Sequence, residues 1–198
     1  MKSLIVTSLL LGLTAIVSAS IITQNTSATN VTGGSGFFIG QSVTTPGGGP
    51  WDNIGFNYVD NNSNPFALGG LYLLTQTYTG LPSGLSNATP GFVASTSTIS
   101  GGVWTFASGV TLSASTQYFF YMDTAFNGSE ILFSYPGTYA GGVASQADNF
   151  LPNYSDNRAV DMTFTLAGTQ FTAVPEPATA SLMLAAIGLA AAFRRRRA

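Results

Sequence analysis

Short apolar runs broken by polar turns fill the middle of this chain. In NIGFNYV, Ile54, Phe56 and Tyr58 fall on one side and Gly55 and Asn57 on the other. In AVDMTFTL, Val160, Met162, Phe164 and Leu166 alternate with Asp161, Thr163 and Thr165. Successive side chains of a strand point to opposite faces, so a period of two predicts half-buried strands with the polar face in water. GGLYLLT, GVWTFA, QYFFYMD and EILFSY are more continuously apolar, and predict central strands or strands covered on both faces. TTPGGGP at 44–50, VDNNSNP at 59–65, TGLPSG at 79–84 and NATPG at 87–91 supply the turns between them. No helical period is found outside the two ends. About nine short strands in one body predict a single all-β domain over residues 20–173, a β-sandwich or jelly roll of two sheets. No repeat of fixed period is present, which argues against a propeller or solenoid.

The ends follow a different pattern. Lys2 precedes an apolar stretch over residues 4–17 and then small residues. A short positive region, a hydrophobic region and a small-residue cleavage site make a signal peptide, read here as a helix over residues 1–19. Val17 and Ala19 suit the positions before the cut, which places cleavage between Ala19 and Ser20. The apolar run is short of the roughly 20 residues a spanning helix needs. At the other end, residues 178–193 carry no charge and predict a C-terminal transmembrane helix. At ~1.5 Å per residue it is about 24 Å long, against a hydrocarbon core of about 30 Å, so it spans with help from bilayer thinning or snorkelling. Arg194, Arg195, Arg196 and Arg197 follow it. Clustered arginines stay on the cytoplasmic side, so this topogenic cluster stops translocation and leaves the body outside.

Charge separates the ends from the body. Between Ser20 and Ala173 there are seven acids and one base, Arg158, for a formal charge of −6. Such a body has no electrostatic footprint for nucleic acid. The chain has no Cys and no His, which removes Ser-His-Asp triads, Cys nucleophiles and the usual zinc sites. The expectation is a protein that is not an enzyme and takes no cofactor or metal. Asp60, Asn62 and Asn64 occupy positions 1, 3 and 5 of a calcium loop, but Pro65 stands where Gly is needed and Leu71 where Glu is needed. A turn in which Asp and Asn bond their own backbone explains the same residues. Asp60, Asp156 and Asp161 are expected in solvent. Trp51, beside a Gly/Pro turn, is a candidate for stacking on a sugar ring; the alternative is a plug at the end of the sandwich.

Two stretches carry resemblances to known families. Pro175, Glu176 and Pro177, a short Ala/Leu/Gly-rich span and a terminal arginine cluster together resemble the PEP-CTERM sorting signal. The resemblance makes residues 174–198 a sorting signal, with Pro175, Glu176 and Pro177 as its recognition motif. It implies processing by exosortase at or near that motif, and transient anchoring in the inner membrane of a Gram-negative bacterium. It also implies delivery to the cell surface or extracellular matrix. Leu112, Thr116 and Tyr118 in VTLSASTQYFFY resemble the L-x-x-x-T-x-Y pattern of fibronectin-type sandwiches, where the Tyr closes the corner between the sheets. The alternative is that Tyr118 is one aromatic of a core strand. Gln41-Ser42, the LYL strand and the Leu112-to-Tyr118 segment resemble choice-of-anchor domains, which implies a fold and no activity. The expected role is structural or adhesive, in an exopolysaccharide or biofilm matrix. The alternative is a carbohydrate-binding module for secreted polysaccharide.

Overall fold

Turn chemistry cuts the body into fifteen strands and one 3-10 turn, with no α-helix among the described residues. The computed structural model describes residues 19–28, 30–33, 36–128, 130–157 and 159–170. Residues 1–18 of the expected signal segment 1–19, the motif Pro175, Glu176 and Pro177, the apolar span 178–193 and Arg194, Arg195, Arg196 and Arg197 lie outside them.

The described residues form three antiparallel sheets. The first runs β1 (Ala19–Asn25), β15 (Phe164–Gln170), β4 (Trp51–Val59), β9 (Val103–Thr105), β8 (Ile99–Ser100), with β5 (Pro65–Phe66) also on β4. The second runs β13 (Ser155–Asn157), β12 (Ala144–Ala147), β3 (Phe38–Thr44), β10 (Gln117–Met122), β6 (Leu71–Leu74), β7 (Phe92–Thr96). The third is small: β14 (Asp161–Met162), β11 (Glu130–Ser134), β2 (Asn30–Gly33).

The first two sheets pack face to face. Phe56 of β4 stacks on Phe120 of β10, with ring centroids 4.3 Å apart and planes 7° from parallel. Ile54, Phe164, Leu166 and Trp104 from the first sheet join Ile39, Val43, Leu71, Leu73 and Met122 from the second in one buried cluster. This is the predicted sandwich. QYFFYM is continuously apolar because its other face is covered too. Phe119 and Tyr121 point outward into a second cluster with Leu74, Leu85, Ala147 and Tyr154. Tyr121 lies against Gly40, where a Cβ would collide with its ring.

The corner is built as the sequence pattern suggests. Leu112 exchanges backbone hydrogen bonds with Trp51 of the first sheet, at 2.8 and 2.9 Å. The Tyr118 hydroxyl then accepts the Ser113 N–H at 2.9 Å. Thr45 Oγ1 donates to the Ser113 carbonyl at 2.6 Å and accepts the Thr116 N–H at 3.0 Å. The chain thereby crosses from β4's end of the first sheet into β10 of the second.

AVDMTFTL departs from its prediction. It is two strands, because the chain changes sheets at Thr163: Met162 pairs with Phe133 of the small sheet and Phe164 with Tyr58 of the first. The 137–139 segment lies over the side expected to be wet, with Gly137 and Tyr139 against the Asp161 carboxylate, and Asp161 and Thr163 are each only 4% exposed. Asp161 is therefore corrected from a solvated to a buried carboxylate.

Candidate functional site

β1 and β15 set the geometry of both ends. Ala19 pairs with Thr169 and Ser20 with Gly168, so the expected signal cut falls within the first residues of β1. β15 ends at Gln170, paired with Trp51, and its Nε2 donates to the Gly48 carbonyl at 2.6 Å. Pro175 follows five residues later. The body therefore begins and ends at one end of one strand pair. The ladder that joins them was not read from the sequence; partners so far apart along the chain leave no local mark.

Trp51 does not serve the role first considered for it. Its side chain is 3% exposed and belongs to the main core cluster. A ring with both faces packed offers none to a sugar, and Trp51 is corrected to the plug of the sandwich end.

Asp60 holds a turn. Its Oδ1 accepts the N–H groups of Asn62 at 2.9 Å and Asn64 at 2.8 Å. Those bonds favour the charged form, the Asn64 N–H most of all, and draw the carboxyl below its ordinary value. Beside it Asn61 donates to Glu130 Oε2 at 2.7 Å. Asp60, Asn61, Asn62, Phe66, Gly128 and Glu130 line a hollow of about 280 Å³. Among the described residues no group of three or more His, Cys, Asp or Glu is placed to hold a metal ion.

A second hollow, of about 200 Å³, is lined by Gln146, Asp148, Leu151, Ser155 and Asp156. Asp148 Oδ1 accepts the N–H groups of Phe150 and Leu151, each at 2.7 Å, with Leu151 the larger cause of a lowered pKa. A general acid needs a shift the other way. Asp156 Oδ1 accepts the Ser145 hydroxyl at 2.9 Å. Phe150, between Asp148 and Leu151, is 91% exposed. Asp161, away from both hollows, accepts the Tyr139 N–H at 2.8 Å, and its burial raises its pKa.

These carboxylates accept hydrogen bonds from nearby chain, and the decisive signal lies in the tail. Residues 173–197 match the family described as the PEP-CTERM protein-sorting motif. The chain carries a PEP-CTERM sorting signal. This PEP-CTERM protein is exported, held as a membrane-anchored precursor and processed by exosortase on its way to the cell surface. The match is confined to the tail and says nothing of the body. No curated protein and no solved structure matches the chain. Among the described residues no helix is long and apolar enough to cross a membrane; the span 178–193 lies outside them.

Proposed function

We propose that the mature body is a non-enzymatic structural or adhesive component of the surface or extracellular polymer matrix of a Gram-negative bacterium. The PEP-CTERM tail carries this reading. The body supports it by its use of polar groups: Asp60, Asp148, Asp156 and Asp161 each accept hydrogen bonds that fasten turns or strands. The test is the intact mass and location of the mature protein in cells with and without exosortase. With the enzyme, the C-terminus ends near Pro175 and the protein is found on the surface or in the matrix. Without it, the arginine-bearing precursor stays in the membrane. Mature protein found only free in the medium would remove the matrix role.

Phe150 favours a second reading, binding of secreted polysaccharide. An exposed aromatic ring next in sequence to Leu151, which lines a hollow with Gln146, Ser155 and two carboxylates, suits the apolar face and hydroxyls of a neutral sugar. Affinity electrophoresis through neutral glucans checks it: retardation of the wild type that Phe150→Ala abolishes supports binding, and equal mobility of both proteins with and without glucan dismisses it.

A further inference from the structure

β15 is the strand that closes the first sheet. It lies between β1 and β4, and its Phe164 and Leu166 are fully buried in the main core. Among the described strands, β1 pairs with β15 alone. Export delivers the chain from its N-terminus, so β15 emerges after every other strand of the body. Until then the segment around Ala19 has no place in a sheet.

A protease binds its substrate as an extended strand, through the same backbone groups that a sheet uses. The register sets Ala19, Ser20 and Ile21 against Thr169, Gly168 and Ala167. Those pairs have to open before the bond between Ala19 and Ser20 can enter a protease cleft.

We infer that β15 sets the order of processing: the signal segment is removed before β15 emerges, because β1–β15 pairing then seals the Ala19–Ser20 bond into the first sheet. This rests on the placement of the signal cut at that bond. The step itself is amide hydrolysis by a membrane signal peptidase. One water adds across the bond, leaving a carboxylate on Ala19 and a free amino group on Ser20. The new N-terminus then docks beside Gly168, at the end of the sheet from which the chain leaves for Pro175. A chain that folds with its signal attached keeps it, whereas the sorting motif begins five residues after Gln170, the last residue of β15. Closure of the sheet therefore separates an early N-terminal cut from a late C-terminal one.

The test uses the full chain, purified in detergent with its signal segment and treated with purified bacterial signal peptidase. Intact mass reports cleavage between Ala19 and Ser20. Ala167→Pro breaks the central strand β15, where proline is not tolerated. Ile99→Pro places the same residue on β8, at the opposite edge of that sheet. Wild type and Ile99→Pro are expected to be cut at least about tenfold more slowly than Ala167→Pro, the protection that pairing gives against local opening. Equal rates for all three overturn the inference, and so does rapid cutting of both proline variants, which would mark general unfolding. If no form is cut at that bond, the signal assignment itself fails and the inference falls with it.

Discussion

The two faces of the second sheet come from the same strands and handle polar atoms differently. The inner face is an aromatic stack: Phe120 on Phe56, with Phe164 beside it at 5.8 Å. The outer face is built from tyrosines whose hydroxyls fasten loops. Tyr154 donates to the Met122 carbonyl at 2.5 Å, and Tyr78 to the Leu81 carbonyl at 2.8 Å. The Tyr121 hydroxyl accepts the Tyr78 N–H at 3.0 Å. On the inner side the Tyr58 hydroxyl is buried with no hydrogen-bond partner. One face thus holds two sheets together by apolar area, and the other ties irregular chain to a sheet by directed bonds. Burial pushes the hydroxyl pKa of Tyr58 and Tyr154 well above the ordinary value on both sides, so neither ionises in the folded body.

That contrast orders the expected effects of substitution. Phe120→Ala removes the centre of the inner stack and is expected to cost about 3–5 kcal/mol, read from the urea midpoint. A loss below about 1 kcal/mol would mean that the sheets do not depend on the stack. Tyr154→Phe keeps the ring and removes the outer fastening, for a loss of about 1 kcal/mol. Tyr58→Phe removes a hydroxyl that bonds nothing, and thermal melts are expected to show no loss or a slight gain. Equal losses from the two Tyr→Phe changes would erase the distinction between the faces.

The smallest effects are pH-dependent, and they oppose each other. Asp60 has a lowered pKa, so its contribution is present above the ordinary 3.8 and is lost as pH falls through the lowered value. Asp161 has a raised pKa, so the fold gains most below 3.8 and gives this up as pH rises through the raised value. Melting temperatures between about pH 2.5 and pH 6 should lose part of the acid limb in Asp60→Asn and part of the decline above it in Asp161→Asn. Identical pH profiles for both variants would contradict the two placements.

What the sequence made legible is local. Ile54, Phe56 and Tyr58 announce a half-buried strand because period two is a property of one segment. Leu112, Thr116 and Tyr118 announce a corner because its hydrogen bond spans only five residues. The tail is read the same way, as an ordered run of motif, span and arginines. Asp161 is not legible as buried, because the segment that covers it, around Gly137 and Tyr139, lies more than twenty residues away along the chain. Trp51 is ambiguous for the same reason: a Gly/Pro turn beside it does not say whether its ring joins the core. The outer face was half legible. The continuous apolar run of β10 implied a second cover, but nothing in the run names Tyr154 and Leu85 as that cover.

The sorting assignment rests on the tail. Pro175 and Pro177 lack a backbone N–H and disfavour helix at the residues before them. The direct measurement is the intact mass and membrane fraction of the double variant Pro175→Ala with Glu176→Ala, expressed in the native host beside the wild type. Recognition of the motif by exosortase predicts normal export, loss of C-terminal processing and a larger species that still carries Arg194, Arg195, Arg196 and Arg197 and stays in the inner membrane. A variant matured and located like the wild type would make the tail an anchor only, and would contradict the sorting assignment.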